Sequence, residues 1–195
     1  MRHLLVLTSA VVTLALCSPV MAQETAGANA PQVAGARTAI KGLAEGLKEK
    51  LVAAMQSGGP IAALDVCKIE APKVTDAQSQ ASGYKVGRTA LKFRNPGNAP
   101  DDFEKRVMEK FVADLKGGAD AMKLEHAEVV DADGKKVFRY MKPIMTAGTP
   151  CLACHGSELK ADVAAKIKEL YPDDHATGFS AGDMRGAFTV SKVLE

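Results

Sequence analysis

The stretch HAEVVDADGKKVFRYMKPIM, residues 126–145, sets two apolar runs on either side of Asp133-Gly134. A two-residue turn between strands needs positive φ at both central positions, and Asp-Gly is among the pairs that supply it most readily. The expectation is an antiparallel hairpin. A chain that contains one must build a sheet around it, which speaks against a small all-helical fold.

The flanking segments complete the pattern. Residues 35–57 carry Ile40, Leu43, Leu47, Leu51 and Met55 at helical spacing. Gly58-Gly59-Pro60 breaks the stripe, and Pro60 can open a second helix over 61–80, with a boundary or kink expected before Pro72. Residues 84–93, with Tyr84, Val86, Thr89, Leu91 and Phe93, read as a strand, and RNPGNAPDD as a turn-rich loop. Residues 101–116 return to helical spacing at Phe103, Val107, Phe111 and Leu115, with acids in the first turn. After the hairpin come TPCLACHG at 149–156, a short helix within 157–170 and a closing strand in MRGAFTVSKVL. The order helix, helix, strand, helix, hairpin, motif, helix, strand predicts an α/β (α+β) domain, a mostly antiparallel sheet with flanking helices.

The chain opens with Arg2 and His3, an apolar run over 4–16 and a small-residue site before Gln23. That run falls short of the about 20 apolar residues a membrane span needs, and the pattern is that of a signal peptide over 1–22, cleaved near Ala22. A flexible leader rich in Ala, Gly and Gln is expected over 23–34, then a single domain over 35–195. Nothing after residue 22 is long and apolar enough to span a membrane. The expected location is the periplasm. A formal net charge of +2 gives no basis for a nucleic-acid partner. Of four cysteines, cleavage removes Cys17 and leaves Cys67, Cys151 and Cys154. An odd number in an oxidising compartment needs a reason to persist.

Cys151-Leu-Ala-Cys154-His155 admits three chemistries. A redox dithiol belongs at the start of a helix in a βαβ unit, whereas here a hairpin precedes it and His155 goes unexplained. A zinc site could combine Cys67, Cys151, Cys154 and a histidine. Adjacent residues rarely reach one tetrahedral metal together, so His126 or His175 would have to serve. Heme c uses every part of the motif: two thiols add to two vinyl groups on one edge, and the adjacent histidine sits under the iron. One covalent heme c is the expectation. Its sixth position has Cys67, His126, His175, Met141, Met145 and Met184 as candidates. Cys67 differs from the rest as the one thiol otherwise unaccounted for, on a helix distant in sequence. Arg88, Arg94, Arg139 and Arg185 are candidate partners for the propionates, Arg94 and Arg185 foremost.

VCKIEAP, GRTALKFRNPGNAPDDFE, YMKPIM, CLACHG and YPDDHATGFSAGDMRGAFTVS together resemble the bacterial heme-binding sensor-type domains with a PAS-like fold, over roughly residues 35–193. The resemblance implies that Cys151 and Cys154 carry thioethers, that His155 is the proximal ligand and that Cys67 is the distal one, a soft thiolate suited to heme iron.

Two functions follow as expectations. One is a redox or gas sensor that binds a small diatomic gas on the reduced heme and signals to a protein partner. The alternative is a periplasmic electron-transfer cytochrome with no sensing role. A sensor wants a ligand that can leave, and a thiolate favours ferric iron and can be protonated and lost on reduction. A catalytic heme wants an open iron face with acid–base groups beside it, which the sequence does not display, so no enzymatic activity is expected.

Overall fold

A computed structural model describes residues 29–194. The expected signal peptide and the first half of the leader, residues 23–28, lie outside that range. The elements are α1 (Ala30–Ser82), β1 (Lys85–Thr89), a 3₁₀ turn (Pro96–Asn98), α2 (Asp102–Lys116), β2 (His126–Ala132), β3 (Lys135–Met145), α3 (Leu152–His155), α4 (Ala161–Leu170) and β4 (Met184–Val193). This is the expected order, with one antiparallel sheet of strand order β1-β4-β3-β2.

The hairpin forms as its turn chemistry dictates. Asp133 and Gly134 both have positive φ, 49° and 73°, and His126 to Ala132 pair with Met141 to Lys135. Alternation along the strands sends side chains to opposite faces. Phe138, Tyr140 and Val190 meet Ala36, Ala39, Ile40 and Leu43 of α1 on one face. Met141 and Ala187 meet Val107, Met108 and Phe111 of α2 on the other. The sheet is thus sandwiched between α1 and α2. A capping box starts α2: Asp101 Oδ1 accepts from Glu104 N–H at 2.8 Å, and Glu104 Oε2 accepts from Asp101 N–H at 3.1 Å.

Two details of α1 depart from expectation. The helix begins at Ala30, inside the expected leader, with Pro31 in its first turn and Val33 packed on the core. It also runs through Pro72 with no break there. Only Gly58 (φ −152°, ψ 17°) and Gly59 (φ 65°, ψ −156°) leave helical geometry, dividing α1 into two arms. A mid-helix proline costs about 3 kcal/mol, but Ala71 is buried and Val74 packs on the sheet cluster, so tertiary contacts hold the second arm helical.

That second arm carries Cys67. It docks on α4 through Leu64 and Ile61 against Val163 and Ile167, and Cys154 packs into the same cluster. Lys68 Nζ donates to the Leu170 carbonyl at 2.6 Å, closing the contact at its edge.

Candidate functional site

β3 ends at Met145, and a short loop delivers the chain into α3, which holds Leu152 to His155. The His155 N–H donates to the Cys151 carbonyl at 3.0 Å, so the two cysteines of the motif stand one turn apart. Both are free thiols, as is Cys67.

His155 is held by the loop that follows α4. Its Nδ1 lies 2.7 Å from the Ala176 carbonyl oxygen, which can only accept, so Nδ1 carries the proton. Arg185 Nε also lies 3.3 Å from Nδ1. Both nitrogens would then present N–H, so this longer approach is a cationic contact rather than a hydrogen bond. Burial, with Arg185 and Arg94 next in effect, pushes the His155 pKa down to about 3. The ring is neutral at physiological pH, with the lone pair on Nε2. A neutral imidazole oriented by a backbone carbonyl in this way could bind a metal through Nε2.

The Ala176 carbonyl is fixed in its turn. Arg94 donates from Nη2 to Ala176 O at 3.3 Å and to Cys154 O at 2.7 Å, and grips Asp174 from Nε at 2.9 Å and Nη2 at 3.2 Å. Asp174 Oδ1 accepts from Ala176 N–H at 3.0 Å. Phe179 N–H donates to His155 O at 3.0 Å, and the Phe179 ring stands edge-on to the imidazole at 6.4 Å. The loop after α4 is therefore a bracket around the motif.

Cys67 is exposed by surface area, yet burial is the largest influence on its thiol and pushes its pKa up, against the charges of Arg88, Arg94 and Arg185. Open to solvent but crowded by protein, it lies on a concave wall. Its charge also helps to raise the pKa of Cys154, after burial, so the two thiols stand within electrostatic reach. Tyr171, raised to about 12 by burial and then by Cys67, borders the same region. A cavity of about 230 Å³ opens beside it, lined by Lys68, Arg94 and Tyr171 among others.

The other candidate ligands lie elsewhere. His126 starts β2, at the far edge of the sheet from β1, and its Nε2 meets Glu128 at 2.8 Å. His175 is exposed and stands edge-on to Phe93. Met141 is fully buried in the α2 cluster, and Met184 packs against it. Among the described residues no three of His, Cys, Asp and Glu gather as a metal cluster, so the zinc set does not assemble.

The four arginines separate as well. Arg94 is buried and turned inward onto Asp174 and the two carbonyls. Arg139 faces α2, bonded to Asp101 and Glu104 with its guanidinium over Phe103. Arg185 gives Nη1 to the Lys92 carbonyl at 3.0 Å and Nε to the contact with His155. Asp174 and the Ala176 carbonyl went unread in the sequence. Within YPDDHATG nothing separates Asp174, whose side chain is turned inward onto Arg94, from the exposed Asp173, and a backbone carbonyl leaves no sequence signal.

A single antiparallel sheet between helices, with a C-x-x-C-H turn fed by its long third strand, defines an α+β PAS-like domain. The chain belongs to the Tll0287-like family, whose model matches residues 19–192. It is similar to the cyanobacterial heme-protein Tll0287, a crystal structure of 26% sequence identity and TM-score 0.59 that covers 85% of this chain and 96% of that one. No functionally curated protein matches. The resemblance drawn from the sequence motifs to a heme-binding domain family is borne out. Among the described residues no helix is long and apolar enough to cross a membrane.

Proposed function

We propose that the protein is an exported cytochrome holding one covalent heme c, and that it acts as a redox or gas sensor. The reading rests on one observation above all. His155, next to two free thiols, is held as a neutral ring by the Ala176 carbonyl, with Nε2 left for iron. Cys151 and Cys154 would carry the thioethers, and His155 and Cys67 would hold the iron. Export is supported by the N-terminal pattern of Arg2, His3, the apolar run over 4–16 and the site before Gln23. No enzymatic activity is proposed.

When bound, heme supplies an iron that passes between ferric and ferrous states and can take a small gas at an open position. The chain's part is to offer ligands of unequal hold. His155 is neutral in either state and is pinned by the loop after α4. Cys67 must lose a proton to bind, against burial that favours the thiol. On one-electron reduction by an external donor the iron would hold an anion less strongly, and Cys67 would take up a proton from solvent and be released. It sits on the arm that begins beyond Gly59 and packs on α4, so its departure can be passed to those two helices. A carrier would want both ligands to stay.

The test has two stages. Denatured protein extracted with acidic acetone should keep its heme, with a mass one heme above the chain, and Cys151→Ala with Cys154→Ala should abolish attachment. Heme lost to the solvent would falsify covalent binding. Optical and electron paramagnetic resonance spectra should then show a low-spin thiolate signature in the ferric protein, lost in Cys67→Ser, and carbon monoxide binding on reduction. Two ligands retained in both states would assign the protein to electron transfer.

A further inference from the structure

Seven arginines occur in the chain, and six lie among the described residues. Five of these six have a defined partner. Arg37 pairs with Glu125, Arg94 with Asp174, Arg106 with Glu128 and Arg139 with Asp101 and Glu104, while Arg185 donates to the Lys92 carbonyl. The Arg88 guanidinium has neither a hydrogen bond nor an ion pair with any described residue. It is also not a surface arginine waving in solvent. It lies two residues after Val86 on β1, and so on the same face of the sheet, the face that packs against α1. Its cross-strand neighbour is Phe188, packed against that same apolar cluster. The ionisable groups that act on it are Cys67 and Tyr171, which places it at the crevice into which Cys67 opens.

A guanidinium half-withdrawn from water and left without an acceptor is unfavourable by itself. Folded proteins keep such a group where an anion completes it. Guanidinium is matched to carboxylate by its planar fork of N–H donors. Arg94, the stronger candidate by sequence, has Nε and Nη2 occupied, and Arg139 is on the α2 face of the sheet.

We propose that Arg88 receives a propionate carboxylate of the heme, as the primary anchor of the polar edge of the cofactor. The inference rests on the heme reading above. Cys151 and Cys154 fix one edge through the vinyl carbons, and the propionates leave the macrocycle from the other side, where a cation is needed. Arg185, with Nη2 unengaged by any described residue, adds positive charge nearby. Arg94 instead positions the motif backbone.

The experiment compares wild type, Arg88→Gln, Arg88→Lys and Cys67→Ser with Arg88→Gln in the heme-loaded full chain, by redox titration and thermal melting. Removing a cation beside the propionate favours the ferric state, so Arg88→Gln should lower the reduction potential, and Arg88→Lys should recover most of the shift. The same lowering should persist on the Cys67→Ser background. A shift that vanishes there would assign Arg88 to the thiolate and overturn the anchor, as would an unchanged potential. A second reading needs no iron. In the chain with Cys151→Ala and Cys154→Ala, Arg88→Gln removes an unpartnered cation and should raise the melting temperature, whereas in the heme-loaded chain it should lower it. The same sign in both forms would overturn the proposal. Wild type that carries no heme would overturn the cofactor reading first, and is seen before any Arg88 variant is compared.

Discussion

Arg94 and Asp174 form an ion pair at 2.9 Å with side chains only 8% and 9% exposed. Eighty residues separate them in sequence. Between them they hold three backbone groups of the candidate site: the carbonyls of Cys154 and Ala176 and the N–H of Ala176. The consequence runs to His155, because the Ala176 carbonyl is what keeps its proton on Nδ1.

Arg94→Leu should therefore act in two places. Stability falls by about 3 kcal/mol, since Asp174 is left charged and buried without its partner. His155, the proposed iron ligand, also loses orientation, so the ferric spectrum of the heme-loaded protein should become heterogeneous. Urea unfolding and electron paramagnetic resonance check the two effects separately. A Leu variant with wild-type stability would contradict the bracket.

The same pair sets an acid limit. Burial is the largest single influence on Asp174 and opposes its ionisation. The bonds from Arg94 and the Ala176 N–H, with the charge of Arg94, outweigh it, and the pKa is lowered from 3.8. A carboxyl with a lowered folded-state pKa contributes stability that is full above its unfolded value and lost as pH falls through the folded one. The pair should stabilise the protein in full at pH 5 and above and lose that contribution progressively as pH falls below about 4 and on through the lowered folded value. Melting curves of wild type and Asp174→Asn should lie apart at pH 6 and converge toward pH 2. A gap that is constant with pH would count against the pairing.

The hairpin turn is a second site where one substitution is informative. Both turn residues have positive φ, and a Cβ on Gly134 would meet no atom within 4 Å. Gly134→Val should cost about 1–2 kcal/mol from backbone conformation alone. Thermal melting reads this directly, and an unchanged melting temperature would mean the turn relaxes without loss.

Elements whose cause is local were legible in the sequence. Asp133-Gly134 needs nothing outside itself to turn, and Asp101 with Glu104 caps α2 within four residues. Cys151, Cys154 and His155 are contiguous. What was illegible depends on distant partners. Pro72 reads as a boundary by local rules, and only the burial of Ala71 and the packing of Val74 overrule them. Arg88 and Arg94 look alike six positions apart, one on a strand and one in a loop. Asp174, arriving from the far side of the motif, closes on Arg94 and leaves Arg88 alone.

The break in α1 gives the last prediction. Gly59 has φ 65° and ψ −156°, a region open in practice only to glycine. A Cβ there would again meet nothing within 4 Å, so no steric neighbour confuses the result. Gly59→Ala should destabilise the fold by about 1–3 kcal/mol. Asparagine tolerates positive φ when ψ is near +47°, but not at −156°, so Gly59→Asn should give no relief over alanine. The loss should be concentrated where the second arm meets α4. Hydrogen exchange should thus quicken over 60–82 and 161–170 more than over 30–57, whose contacts with Phe138 and Tyr140 are unaffected. Uniform quickening along α1 would show that the two arms are one cooperative unit, and that movement of Cys67 cannot be confined to the arm that carries it.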